Sequence, residues 1–245
     1  MSIASNLEHL HNQIADACAR AHRAPETVAL MAVSKIHPAS AILEAYAAGQ
    51  RLFGENRVQE WQSKRSDLAS FFNSPQDSTG TSTRSLPPNA QAQAHLIGPL
   101  QNNKTAKAAE IFDAVDTLDS LKTAERLNAA AQSLDKTLRV LIEVKLSYEE
   151  TKHGLSPQDL PTLLAALEPL RNLEVRGLMT VPPFDENPQT ARPYFQHLRR
   201  LLDIHRKTYP SLTELSMGMS NDFAVAIEEG STTVRIGTAI FGKRV

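Results

Sequence analysis

The sequence predicts a single (β/α)8 barrel, the α/β fold in which eight parallel strands alternate with helices around a closed sheet. Short β-branched or aliphatic runs alternate with helical stretches along the chain, and eight such runs can be counted. The length of 245 residues suits one barrel, which needs roughly 250. The sequence contains neither a GxGxxG turn after the first strand nor a GxxxxGK[ST] phosphate loop, which are the signatures of open nucleotide-binding sheets.

The first element is an amphipathic helix, because Leu7, Leu10, Ile14 and Ala17 recur at three-to-four spacing. We expect this extra helix to plug or flank one end of the barrel. The strand candidates that follow lie at residues 27–34, 51–54, 94–97, 112–117, 138–144, 173–178, 213–216 and 233–236. Helical stretches between them include residues 39–48, 120–133 and 190–209. Strands connected through helices in this way run parallel, with right-handed crossovers.

Residues 73–93 stand apart from this alternation. They are rich in Ser, Thr, Pro, Gln and Asn, and Leu86 is their only large apolar residue. Such a segment cannot bury enough apolar surface to offset the entropy lost on ordering. We therefore expect a mobile surface loop before the third strand, within one domain that spans residues 1–245.

Composition and charge argue against several classes of protein. The chain is 41% hydrophobic and 22% charged, as in soluble globular proteins, and its net charge of -1 offers no basic excess for nucleic acid or an anionic membrane. No apolar run approaches the ~20 residues that span a bilayer, and the N-terminus lacks the pattern of a signal peptide. The single cysteine, Cys18, fits a reducing compartment. We expect a cytoplasmic protein that is a monomer rather than a stable oligomer. We also expect no metal site, because the eight histidines form no HExxH motif.

Lys35 is the first candidate for chemistry. It ends the predicted first strand, in VALMAVSKIHP, and active sites of such barrels form at the C-terminal ends of the strands. A lysine partly desolvated at the barrel mouth loses its proton more readily and can form a Schiff base. The alternative is a lysine that extends from the rim into solvent.

The loops after the seventh and eighth strands predict a phosphate site. Barrels often bind phosphate there, at helix N-termini whose backbone N–H groups favour an anion. Gly218 and Gly237 allow close backbone approach, and Ser220 and Thr238 add hydroxyl donors. Alternatively, Ser220 only caps a helix at residues 221–228 and Gly237 is a turn glycine.

Arg235 lies two residues before Gly237, and strand alternation can direct its side chain into the barrel. There it could donate to a pyridine nitrogen and suppress protonation of that ring. A salt bridge to a barrel carboxylate is an equal alternative.

Six segments resemble the YggS family, also called the pyridoxal 5′-phosphate (PLP) homeostasis proteins. They are AVSK (32–35), FGENRVQE (53–60), HLIGPLQNNK (95–104), RGLMT (176–180), LSMGMSNDF (215–223) and VRIGTAIFG (234–242). They occur in order along nearly the whole chain. The resemblance implies a barrel of the alanine-racemase N-terminal type with PLP on the lysine of the first strand.

The resemblance also implies roles for individual residues. Lys35 would form the Schiff base and Arg235 would contact the pyridine nitrogen. The remaining cofactor-binding residues would be Asn56, Met179, Gly218, Met219, Ser220, Gly237 and Thr238.

Three functions remain open from the sequence. The leading hypothesis is a PLP-binding homeostasis protein that limits free PLP and delivers it to apo-enzymes. The second is a PLP enzyme acting on amino acids, such as a racemase. We expect little racemase activity, because barrel-type racemases take a second acid/base from a further C-terminal domain, whereas this chain ends at Val245. The third is a lysine Schiff-base aldolase that uses the phosphate site for a sugar phosphate.

Overall fold

The computed structural model describes residues 2–69, 91–147 and 153–242. Within these ranges eight parallel strands form a closed barrel, in which each strand pairs with the next and the last pairs with the first. The strands are β1 (Ala29–Val33), β2 (Leu52–Glu55), β3 (Gln93–Leu96), β4 (Ala114–Leu118), β5 (Leu138–Glu143), β6 (Leu173–Met179), β7 (Glu214–Ser216) and β8 (Thr233–Ile236). The predicted (β/α)8 barrel is confirmed, and every predicted strand overlaps its observed counterpart.

The described helices surround the barrel. They are α1 (Ile3–Arg20), α2 (Ala39–Ala47), α3 (Val58–Leu68), α4 (Thr105–Ile111), α5 (Leu121–Ser133), α6 (Leu160–Leu167), α7 (Arg192–His205), α8 (Phe223–Glu228) and α9 (Thr238–Phe241). Short 3₁₀ turns lie at Pro25–Thr27, Asn102–Lys104 and Pro188–Ala191. In these parts of the chain no helix combines the length and apolarity needed to cross a bilayer.

The N-terminal helix occupies a different place from the one expected. Helix α1 packs against α2, α8 and α9, beside the seam where β8 meets β1. Its buried face, which includes Leu7, Leu10 and Ile14, belongs to the main core between barrel and helices. The expectation that it plugs or flanks one end is therefore wrong, because its apolar stripe is covered by neighbouring helices along the outer layer.

The predicted loop at residues 73–93 lies largely outside the described residues. Its last residue, Gln93, is the first residue of β3, and Ala92 is fully buried.

Side chains alternate between the two faces of the barrel strands. Along β1, Leu30 and Ala32 belong to the main core beneath the helices. Ala29 and Met31 instead form a small separate cluster with Leu52 of β2. The period of two residues in a strand explains this division, so the small cluster lies inside the barrel.

The barrel interior also holds charged residues near the N-terminal ends of β5 to β7. Arg139 Nη2 of β5 lies 2.5 Å from Glu214 Oε1 of β7, and Arg176 Nε of β6 lies 3.5 Å from the same oxygen. The Glu214 carboxylate is buried, and the two arginines balance its negative charge inside the barrel.

Candidate functional site

A cavity of about 430 Å³ opens at the C-terminal ends of the strands. This is the end of a (β/α)8 barrel at which active sites form, and the volume falls in the roughly 300–1,000 Å³ typical of small-molecule sites. The lining includes residues that follow β1, β2, β3, β5, β6, β7 and β8. Residues far apart in sequence therefore meet around one volume.

Lys35 lines the cavity from the turn after β1. Strand β1 ends at Val33, Ser34 is buried, and the Lys35 side chain is only partly accessible. The next residue, Ile36, is exposed and has a positive φ of 65°. A β-branched residue adopts this backbone conformation only under constraint, so the turn that carries Lys35 is held by its surroundings.

Hydroxyl groups line the cavity from the loops after β7 and β8. Ser220 and Thr238 are both accessible there, together with Met219 and Gly237. Thr238 is the first residue of α9, and Gly237 occupies the N-cap position. The two loops thus bring two hydroxyl donors to the cavity, as the sequence predicted for a phosphate site.

The alternative in which Ser220 caps a helix at residues 221–228 is wrong in detail. Helix α8 begins at Phe223, and Asp222 holds the N-cap position. The Asp222 Oδ1 atom accepts a hydrogen bond of 2.6 Å from the Met219 N–H, which closes the loop on itself.

Arg235 lines the cavity from β8, and its side chain is buried inside the barrel. Its Nη1 donates to Ser216 Oγ at 2.7 Å, and its Nη2 donates to the Thr180 carbonyl at 2.8 Å. Burial lowers the pKa of Arg235, whereas the charges of Asp116, Glu143 and Asp222 oppose that shift. An arginine stays protonated under these conditions, so a fixed positive charge faces the cavity.

Glu143, the last residue of β5, is a cavity residue that the sequence analysis missed. Burial raises its pKa to about 7. The positive charge of Arg235 acts to lower this pKa, and the negative charge of Asp119 acts to raise it. A carboxyl group that titrates near neutral pH can hold or release a proton inside the site. The rule that examines every strand end would have found it, because the predicted fifth strand ended one residue beyond it.

Most of the predicted site residues line this one cavity, and two do not. Those that do are Lys35, Asn56, Met219, Ser220, Arg235, Gly237 and Thr238. Met179 is buried in register with Glu143 and Ser216, and Val181 lines the cavity beyond it.

Gly218 has a φ of 97°, and a Cβ at this position would lie 2.6 Å from Ala226 Cβ of α8. The absence of a side chain at Gly218 therefore allows the loop to pack on that helix. Lys145 and His153 also line the cavity and were not predicted.

Possible metal ligands were searched for across the described ranges. No group of three or more His, Cys, Asp or Glu side chains has an arrangement there that could hold a metal ion.

Comparison with known proteins places the chain in a family. A family model described as alanine racemase, N-terminal domain, matches residues 5–245. A pyridoxal phosphate homeostasis protein of Vibrio alginolyticus is 43% identical over 243 residues, which are 99% of this chain and 98% of that protein. The chain belongs to the pyridoxal phosphate homeostasis protein family. The resemblance stated from the sequence is thereby confirmed.

Solved structures agree with this family assignment. This member of the homeostasis family superposes with a TM-score of 0.82 on PipY of Synechococcus elongatus PCC7942 with PLP bound, at 38% identity, covering 98% of this chain and 100% of that one. An alanine racemase of Clostridium difficile 630 gives a TM-score of 0.68 at 14% identity, covering 99% of this chain and 57% of that one. The second likeness concerns the fold alone.

Proposed function

We propose that this protein binds PLP covalently through Lys35, limits the concentration of the free reactive aldehyde and delivers PLP to apo-enzymes. The observation that carries the proposal is that Lys35, the hydroxyls of Ser220 and Thr238, and the buried cation Arg235 line the same cavity. The names of relatives near 40% identity, and the PLP bound to PipY, support the same ligand. PLP supplies an aldehyde that condenses with a lysine amine, so that a C=N bond forms and the aldehyde oxygen leaves as water.

The site offers binding groups for both the phosphate and the ring of PLP. Ser220 and Thr238 donate hydrogen bonds to the phosphate, and bonds to a charged acceptor contribute roughly 1.5–3 kcal/mol each. Arg235, held by Ser216 and Thr180, presents a positive charge to the ring. Asn56 lines the cavity next to β2 and would contact the ligand there.

We propose a carrier rather than a racemase because of Arg235. Its fixed charge disfavours a protonated pyridine nitrogen, and an unprotonated ring is a weak electron sink for carbanion chemistry. The accessible hydroxyls at the cavity mouth also leave the bound ligand within reach of a partner protein. The single buried cysteine fits the reducing cytoplasm, and we propose that the protein acts there as a monomer.

The test is to reduce the PLP-loaded protein with borohydride, digest it and locate the pyridoxyl adduct by mass spectrometry. We expect the adduct on Lys35 and its loss in Lys35→Ala. An adduct confined to another lysine, such as Lys104, would refute the assignment. Absence of any PLP adduct, together with trapping of a sugar phosphate by borohydride, would instead favour the aldolase alternative.

A further inference from the structure

A largely buried polar cluster lies behind the turn that carries Lys35. We call it the Lys64 cluster, and its members are Ser34, Glu55, Glu60 and Lys64. Lys64 Nζ of α3 lies 2.9 Å from Glu55 Oε1 of β2 and 2.7 Å from Glu60 Oε1 of α3. Ser34 Oγ donates to Glu55 Oε1 at 2.8 Å. The carboxylates of Glu55 and Glu60 therefore meet at the Lys64 ammonium, and the Ser34 hydroxyl joins the cluster through Glu55.

The cluster holds the backbone on both sides of Lys35. Lys64 Nζ donates to the Ser34 carbonyl at 3.0 Å, immediately before Lys35. Glu60 Oε1 accepts a hydrogen bond from the backbone N–H of Ile36, immediately after it. Ile36 is the β-branched residue with the positive φ, so these bonds stabilise a conformation that the residue would otherwise avoid.

The charges in the cluster depend on Lys64. Burial raises the pKa of Glu55, and the charge of Lys64 opposes that shift. Burial also acts to raise the pKa of Glu60, but the hydrogen bonds from Lys64 and the Ile36 N–H, together with the charges of Lys64 and Arg57, outweigh it and lower the pKa. Removing the ammonium would therefore leave a buried carboxyl without its cation and loosen the acceptor of the Ile36 N–H.

We propose that Lys64 is a positioning residue, which fixes the strained turn so that the Lys35 amine points into the cavity for covalent capture of PLP. The inference rests on the proposed function. Lys64 is not part of the cavity lining, so it acts through the backbone that flanks Lys35. Covalent bond formation depends on the direction and distance of the attacking amine, whereas phosphate binding uses the loops after β7 and β8 and ring binding uses Arg235 of β8.

The test compares two ligands in Lys64→Met, PLP and pyridoxine 5′-phosphate. The second shares the ring and phosphate but has no aldehyde, so it reports binding without covalent capture. We expect the affinity for PLP to fall at least tenfold, while the affinity for pyridoxine 5′-phosphate changes less than twofold. Lys64→Arg, which keeps the charge, should recover part of the loss. Lys107→Met, which removes a lysine from the partly exposed pair with Glu110 on α4, is the matched control and should change neither affinity.

Glu60→Ala provides a second variant, because this side chain is partly exposed and its removal leaves the Lys64–Glu55 pair in place. It should also weaken PLP selectively, and it decides the question if Lys64→Met does not fold. Equal weakening of both ligands, or unchanged PLP affinity in both variants, would overturn the positioning role. A wild-type protein that binds both ligands equally would refute the covalent function itself, which separates the two failures.

Discussion

Glu143→Gln tests the electrostatics of the cavity in the ligand-free protein. In the folded state the pKa of Glu143 is about 7, because burial disfavours the carboxylate, against a normal value of 4.5. Between these two pH values the folded protein binds more protons at this site than the unfolded chain does. The stabilisation from protonated Glu143 is therefore fully present below about pH 4.5 and is lost as the pH rises through about 7.

The size of the effect follows from the two pKa values. At ~1.36 kcal/mol per pKa unit, the gap corresponds to at most about 3 kcal/mol of unfolding free energy. Glu143 lines an open cavity, and contact with solvent reduces this to about 1–2 kcal/mol. Glutamine has the same shape and does not titrate, so Glu143→Gln should lack this pH-dependent loss.

Urea unfolding of the wild type and Glu143→Gln at several values between pH 5 and pH 8 measures the effect. Other titrating groups are shared by the two proteins and cancel in the difference. We expect the wild type to lose about 1–2 kcal/mol relative to the variant across this range, with most of the loss complete by about pH 7 and a plateau above it. Glu110→Gln replaces a partly exposed carboxylate of α4 by the same amide and controls for the substitution itself. Parallel stability curves for the wild type and Glu143→Gln, or a relative gain at high pH, would refute the reasoning.

Three further predictions concern the ligand loops and the reaction. The double variant Ser220→Ala, Thr238→Ala should bind PLP at least about tenfold more weakly, because two hydrogen bonds to the phosphate are lost and ~1.4 kcal/mol is already a factor of ten. Titration of the apo-protein checks this, and an unchanged affinity would contradict it. Gly218→Ala should lower the unfolding free energy by roughly 2–4 kcal/mol, since the added Cβ meets Ala226 and φ is positive; an unaltered urea midpoint would count against that account. The PLP-loaded protein incubated with L-alanine in D2O should give neither α-deuteration nor the D-isomer, measured by mass spectrometry and chiral chromatography. Turnover of roughly 1–10³ per second that disappears in Lys35→Ala would instead establish an enzyme.

The sequence was sufficient for the barrel because strand and helix periodicity are local properties. Apolar runs bounded by polar residues placed each strand to within two residues of its observed ends. Capping of α8 was less predictable, because Ser220, Asn221 and Asp222 are all good capping residues and tertiary packing selects among them. The packing position of α1 could not be predicted either, because its apolar stripe shows that one face is buried but not which elements cover that face.

Much of the candidate site was predicted from the loops just after strands, whereas Glu143 was missed although it ends β5, and the contacts behind Lys35 were missed because packing creates them. Lys35, Ser220 and Thr238 needed only the rule that barrel sites form at strand ends. The contact between Lys64 and the Ser34 carbonyl joins residues 30 positions apart on different elements, and no local pattern encodes it. Met179 was assigned by resemblance, but the register of β6 buries it beside Glu143 and Ser216.

The placement of charges along the barrel separates residues that support the fold from residues that face a ligand. Near the N-terminal ends of the strands, Glu214 is paired with Arg139 and Arg176 at contact distance, so its charge is compensated locally. Near the C-terminal ends, the hydrogen bonds of Arg235 go to a neutral hydroxyl and a carbonyl, and none of the ion pairs found among the described residues includes it. Its positive charge is balanced only at longer range, by Asp116, Glu143 and Asp222. The same positive charge lowers the pKa of Glu143 against the effect of burial, so Arg235 acts on the cavity through its charge and not through a paired carboxylate.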